Sequence, residues 1–150
     1  MRNLMFLLLF TAGLAQAQAP VAILGRTVEE ISADLGQPRA STRQNTRWDV
    51  NTPRGGITIQ GTFDPRTRKV ESVRYTGPVH MYQWIREPHG LAQMRMRWNT
   101  RNVVFHDEAT GVVAYQEQDR RGNTYWVLET NPALLKAWQE ELERARARSR

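Results

Sequence analysis

Apolar and polar residues alternate in the first half of the chain, which is the pattern of strands that bury one face. In the longest such stretch, residues 57–63, the odd-numbered positions are Ile, Gly or Phe and the even-numbered positions are Thr or Gln. The segment 64–69, Asp-Pro-Arg-Thr-Arg-Lys, is typical of a loop, and the chain returns through residues 70–75. The pattern predicts a β-hairpin with a basic tip, preceded by a short strand over residues 47–50 that the turn 51–56 closes.

A short helix is predicted before these strands. Thr27 and Glu30 have the spacing of a capping box, in which each side chain accepts a hydrogen bond from the backbone N–H of the other residue. Gly36 can adopt the positive φ that ends many helices, and Pro38 prevents continuation. Apolar residues recur along one side of this helix at Val28, Ile31 and Leu35.

The second half of the chain contains further strand signals. Residues 79–85 fit either a strand or a helical turn, and 93–99 favour a strand although many of their residue types also form helices. Three apolar segments, 103–106, 112–115 and 124–128, are separated by Gly-containing loops and predict an antiparallel meander.

A second, longer helix is predicted at the end of the chain. Thr130 or Asn131 is its N-cap, and Pro132 lies in its first turn. Residues 144–150 form a basic tail that we expect to fray. The apolar face of the helix consists of Leu134, Leu135, Trp138 and Leu142. The predicted fold class is therefore α+β, with an antiparallel sheet of about five to seven short strands packed by a short N-terminal helix and a C-terminal amphipathic helix.

Part of this pattern resembles a known family. Within residues 21–77 the resemblance rests on Gly25-Arg26-Thr27, Val28, Ile31, Leu35-Gly36-Gln37-Pro38, Trp48, Phe63, Val70 and Val73. In these positions the chain is similar to the small outer-membrane assembly lipoproteins of the SmpA/BamE kind. The resemblance implies a helix layer on a three-stranded antiparallel sheet, the architecture also seen in proteinaceous β-lactamase inhibitors. The chain lacks the cysteine that carries the lipid in those lipoproteins.

The first 17 residues are typical of a secretory signal peptide. Arg2 supplies the positive start, an apolar run extends from Leu4 to about Leu14, and Ala15-Gln16-Ala17 matches the small-x-small cleavage site. We expect cleavage before Gln18 and a single domain over residues 18–150. A retained membrane anchor is the weaker interpretation, because the apolar run is about half of the ~20 residues that a spanning helix needs. The expected location is therefore the periplasm or the extracellular space.

Composition narrows the possible chemistry. The chain has no cysteine, which excludes thiol catalysis, Cys-ligated zinc and iron–sulfur clusters, and leaves packing to stabilise an exported domain without disulfides. The formal net charge is +6, and it falls to +5 in the processed chain because Arg2 is the one charged residue removed. A basic protein favours, without requiring, a partner that carries negative charge.

Few residues have a catalytic pattern. The three histidines, His80, His89 and His106, lie at no metal-ligand spacing, so no metal or other cofactor is expected. The sequence His106-Asp107-Glu108 places an imidazole beside two carboxylates, but Asp and Glu are also ordinary residues of a hairpin loop. A non-enzymatic protein is predicted, with a small secreted hydrolase that uses His106 with Asp107 or Glu108 as the alternative.

Arginine supplies the candidate binding residues. A guanidinium binds carboxylate and phosphate groups through two parallel hydrogen bonds, whereas the plainer explanation of such residues is a solvated charge that protects a strand edge. The sequence thus predicts an exported binding, scaffold or inhibitor-like module whose partner is a protein, an anionic envelope polymer or a lipid headgroup, with nucleic acid an unexpected partner after export. The candidates are Arg95, Arg97 and Arg101 on one strand face, and Arg66, Arg68 and Lys69 at the hairpin tip.

Overall fold

The computed structural model describes residues 18–78, 81–95 and 103–149. They form one antiparallel sheet of eight strands with a short helix near the start and a 16-residue helix at the end, which confirms the predicted α+β class. In chain order the elements are α1 (Val28–Leu35), β1 (Ala40–Ser41), β2 (Asn45–Thr52), β3 (Gly55–Phe63), β4 (Val70–Thr76), α2 (Tyr82–Arg86), β5 (Ala92–Arg95), β6 (Val103–Asp107), β7 (Val112–Gln118), β8 (Thr124–Thr130) and α3 (Pro132–Ala147).

The order of the strands in the sheet shows a duplicated topology. Each half contains one helix followed by four strands, α3 follows the second set, and the sheet order is β1-β2-β3-β4-β8-β7-β6-β5. The last strand of each half therefore meets its counterpart at the centre, where Tyr75 of β4 lies opposite Trp126 of β8. The second half continues the first sheet, although the sequence shows no internal repeat.

The structure assigns the two segments for which the sequence allowed either a strand or a helix. The described part of the segment 79–85 is helical and leads into α2, with Trp84 and Ile85 buried. The segment 93–99 is a strand as far as Arg95, and residues 96–99 lie outside the described ranges. The predicted meander of β6, β7 and β8 is confirmed by its antiparallel pairing.

The predicted capping residues of both helices are present in the structure. The Thr27 hydroxyl accepts a hydrogen bond from the Glu30 N–H, and the Glu30 carboxylate accepts one from the Thr27 N–H at 2.8 Å, which completes the capping box. Gly36 has the expected positive φ of 84°. Asn131 rather than Thr130 caps α3, since its side chain accepts from the Leu134 N–H. α3 continues to Ala147 and so includes the first residues of the basic tail.

α1 and α2 cover the same side of the sheet, which we call the core face. Side chains alternate along each strand, so every second residue points to this side. Ile31 and Leu35 of α1 and Trp84 and Ile85 of α2 pack in one apolar cluster against it. The strands contribute to that cluster Trp48, Val50, Ile57, Ile59, Phe63, Val70, Val73, Tyr75, Phe105, Val112, Ala114, Trp126 and Leu128.

The opposite side, the outer face, is covered by α3 over β7 only in part. Val113 and Tyr115 alternate with the core residue Ala114 and therefore point to the outer face. There the Tyr115 ring meets the edge of the Trp138 ring at a centroid distance of 5.8 Å, and Leu135 of α3 is buried. On β2, β3 and β4 the outer face is open to solvent. Its exposed residues there include Arg47, Asp49, Gln60 and Arg74.

We expect Gly61→Val to destabilise the fold by about 1–3 kcal/mol, the usual cost of overpacking a core. A Cβ at Gly61 would lie 3.3 Å from Val70 Cγ2 and 3.6 Å from both Trp48 and Phe63 ring carbons, so two further methyl groups have no room. Urea unfolding measures the change. The matched control is Gly56→Val in the same strand, where the nearest atom to an added Cβ is 3.9 Å away. Equal stability of the two variants would contradict this account.

Candidate binding surface

The outer face carries two cross-strand rows of polar side chains at the centre of the sheet. Strand register places Gln60, Arg74, Val127 and Tyr115 opposite one another, and the next row contains Thr62, Ser72 and Glu129 beside Asn45. Between them lies a groove of about 310 Å³ that extends from β2 across to β7. This outer-face groove is lined by Asn45, Gln60, Thr62, Ser72, Arg74, Tyr115, Glu117, Val127 and Glu129.

Glu129 is held in place by two hydrogen bonds. Its Oε1 atom accepts from the Tyr115 hydroxyl at 3.1 Å and from Asn131 Nδ2 at 2.9 Å. Burial raises the pKa of the Tyr115 phenol, and the negative charge of Glu129 raises it further. The phenol therefore stays protonated and donates its hydrogen bond throughout the physiological pH range.

A second tyrosine–glutamate pair lies one row further along β7 and β8. The Tyr125 hydroxyl donates to Glu117 Oε2 at 2.7 Å, and this hydrogen bond raises the pKa of Tyr125. The guanidinium carbon of Arg74 lies over the Tyr125 ring, 4.1 Å from its centroid. This is the geometry of a cation–π contact.

A network of side chains on β2 and β3 extends the polar surface beyond the groove. Burial on its own would raise the pKa of Asp49, but hydrogen bonds from Arg47, Arg39 and Thr58 outweigh it and hold the pKa below the ordinary value. Two of these contacts are ion pairs, at 2.8 Å with Arg39 and 3.0 Å with Arg47. Exposed pairs of this kind contribute about 0–1 kcal/mol each, so they order the surface more than they stabilise the fold.

The predicted basic tip is present and gains a fourth cation. Residues Arg66, Arg68 and Lys69 are exposed on the β3–β4 loop, and the Arg68 side chain donates to the carbonyl of Arg43 in the β1–β2 turn at 2.8 Å. The backbone N–H groups of Thr67 and Arg66 hold the pKa of Asp64 below its usual range while they close the loop. The structure thus brings Arg43, Arg66, Arg68 and Lys69 to one end of the sheet.

The other predicted arginines are less fully described. Arg95 ends β5, where its backbone pairs with Val103. Arg97 and Arg101 lie outside the described residues, so their grouping on one strand face stays a prediction.

The His106-Asp107-Glu108 segment separates into two parts. His106 and Glu108 line a second groove, of about 590 Å³, between β5, β6 and α3, where Glu108 accepts a hydrogen bond from Gln139. Asp107 instead closes the β6–β7 turn, since Thr110 Oγ1 and the Ala109 N–H both donate to its carboxylate and hold its pKa below the ordinary value.

Metal ligands are not brought together in the part of the chain that the structure describes: no group of three or more His, Asp or Glu side chains there has a suitable arrangement. His80 lies outside the described residues. His89 follows α2, and burial lowers its pKa, so its imidazole is neutral at pH 7.

The sequence did not indicate the residues of the outer-face groove as a site. The groove residues Arg74, Tyr115, Glu117 and Glu129 belong to three strands, and α2 and β5 to β7 lie between β4 and β8 in the chain. The alternation within each strand could have assigned these side chains to one face, but only the pairing of β4 with β8 brings them together.

Comparison with protein-family models, with curated proteins and with solved structures found no match for this chain. Among the described residues, none of the helices has both the length and the apolar character needed to cross a bilayer.

We expect Glu129→Gln to lower the pKa of the Tyr115 phenol, because deprotonation would no longer create a second negative charge beside the first. The amide oxygen of Gln can still accept the Tyr115 hydrogen bond, and burial will keep the pKa above its ordinary value of about 10. Alkaline titration of the tyrosine Cζ carbons by NMR measures the shift. The control is Glu71→Gln, which removes a charge that does not act on Tyr115, and an equal effect of both changes would contradict the pairing.

Proposed function

We propose that this protein is an exported, non-enzymatic module that binds another macromolecule of the cell envelope through the outer face of its sheet. The observation that carries the proposal is the outer-face groove, an ordered polar concavity at the centre of a sheet whose other side packs the apolar core. The predicted signal peptide supports the location, and the partial family resemblance supports a role in the envelope.

The composition of the outer face fits recognition of a protein. Tyrosine and arginine are enriched at the centre of protein interfaces, since they combine a large contact area with hydrogen-bonding groups. Here Tyr115, Tyr125 and Arg74 lie together in or beside the groove, and Arg47 extends the surface along β2. The hydrogen bonds that fix the tyrosines before a partner arrives reduce the entropy lost on binding.

The basic tip is the alternative binding surface within the same class of function. Its four cations lie at one end of the sheet and would suit a phosphate- or carboxylate-bearing polymer or headgroup. Because the tip and the groove are separate surfaces, variants can distinguish them.

A small hydrolase is the second candidate function, and the groove beside His106 favours it. Its acid–base pair would be His106 with Glu108, because the carboxylate of Asp107 is occupied in the turn. Replacing His106 with Ala would abolish turnover of the substrate of such an enzyme and leave binding through the outer face unchanged.

The proposal is tested by affinity capture from the native envelope, with residues 18–150 as bait and mass spectrometry as readout. We expect wild-type protein to enrich a partner that Gln60→Arg loses, because the new side chain adds bulk and charge at an exposed position in the groove. The matched control is Gln116→Arg, an exposed position on the opposite side of β7.

A third variant, Arg66→Ser with Lys69→Ser, tests the basic tip. Loss of the partner with this bait alone would move the function to the tip and contradict the outer-face proposal. Retention of the partner by all variants would contradict both surfaces. Circular dichroism confirms that each bait is folded before use.

A further inference from the structure

We infer that the outer-face groove receives an arginine or lysine side chain of the protein partner, and that Arg74 occupies part of this cation site while the protein is free. This inference rests on the proposed function and names the chemistry of its partner. The net charge of the chain is positive and by itself would favour anionic ligands, so the inferred cationic ligand is the opposite of what net charge predicts.

The local charge of the groove is negative. Glu117 and Glu129 contribute two carboxylates, and Arg74 is the one cation among the lining residues. Five ion pairs with N–O distances up to 4.0 Å occur in the described ranges, and neither glutamate belongs to any of them. The two carboxylates are thus fixed, but no cation of the described residues neutralises them by direct contact.

Each carboxylate also keeps one oxygen available. Glu129 uses Oε1 for both of its hydrogen bonds, and Glu117 uses Oε2 for the bond from Tyr125. Within the described part of the chain, Glu129 Oε2 and Glu117 Oε1 accept no hydrogen bond. A guanidinium or ammonium group needs acceptors of this kind, and charge-assisted hydrogen bonds to them are shorter and stronger than neutral ones.

The ring of Tyr125 completes the site for a cation. Arg74 itself shows that a guanidinium fits over the Tyr125 ring, at 4.1 Å from the centroid. Arg74 is exposed and forms no ion pair within 4.0 Å among the described residues, so an incoming side chain can displace it at small cost. Because Arg74 and an incoming cation would compete for the same site, removal of this arginine should improve the binding of an external cation.

The test is an NMR titration of ¹⁵N-labelled residues 18–150 at low salt with the tripeptide acetyl-Gly-Arg-Gly-amide. We expect amide shifts confined to β4, β7 and β8, and none with the neutral acetyl-Gly-Gln-Gly-amide. Arg74→Ser should strengthen the binding about two- to fivefold, the factor that corresponds to one exposed charge–charge interaction. The double variant Glu117→Gln with Glu129→Gln should weaken it at least as much, whereas Glu71→Gln should not.

Two results would overturn the inference. Arginine peptide shifts that are unchanged in the double glutamine variant would remove the carboxylates from the site. Weaker binding of the arginine peptide by Arg74→Ser, together with binding of acetyl-Gly-Glu-Gly-amide by the wild type, would make the groove an anion site. Both glutamine replacements are isosteric at hydrogen-bonded or exposed positions, so loss of the fold does not obscure the result.

The same double variant separates this inference from the proposed function. If envelope capture is lost with Gln60→Arg but kept with Glu117→Gln and Glu129→Gln, the outer face binds the partner without a cation contact. Retention of the captured partner by Gln60→Arg contradicts the proposed function itself, whatever the peptide titration shows.

Discussion

The structure depends on the pairing of β4 with β8 at the centre of the sheet. Four residue pairs, from Ser72–Glu129 to Tyr75–Trp126, join the two halves. Every other strand pairing in the described sheet lies within one half. Tyr75 and Trp126 are almost completely buried there, and burial raises the pKa of the Tyr75 phenol. On the other side of the same strands, Arg74 and Glu129 are brought into one groove, so a single pairing supports both the core and the candidate surface.

The two faces of the sheet differ in what holds their side chains in place. On the core face, packing dominates, and even a single added carbon at Gly61 would approach Val70 at 3.3 Å. The outer face instead uses hydrogen bonds between side chains, such as those from the two tyrosines to Glu117 and Glu129. A surface of the second kind tolerates exchange of partners, because its polar groups can be satisfied by water, by one another or by another protein.

Sequence reasoning was most successful where the physical cause was local. The capping box at Thr27 and the N-cap at Asn131 depend on residues three positions apart, and the hairpin tip depends on Asp64 and the residues that follow it. The segment before Arg86 was ambiguous because a short apolar run fits a strand or a helix. α2 is stabilised by burial of Trp84 and Ile85 against a sheet whose strands lie both before and after it in the chain.

The residues of the candidate surfaces were harder to predict for the same reason. The arginines of the β3–β4 loop could be found because they are adjacent in sequence, and the contact with Arg43 then added to them. The groove residues are single polar positions in strands, and nothing in their immediate neighbours distinguishes Tyr115 or Glu129 from ordinary solvated side chains. Their relation arises from strand order, which one sequence does not contain.

The symmetrical strand order has a consequence for how such a sheet can assemble and diverge. Two like units that meet through their last strands have the arrangement of a dimer, yet the connecting chain makes their association intramolecular, with an effective concentration that does not depend on dilution. Identical subunits would be forced to present identical surfaces, whereas fused units are free to differ. Here only one unit carries α3 on the outer face, where Trp138 packs against Tyr115. The two ends of the groove therefore differ, with a tyrosine packed against a helix at the β7 end and open strand at the β2 end.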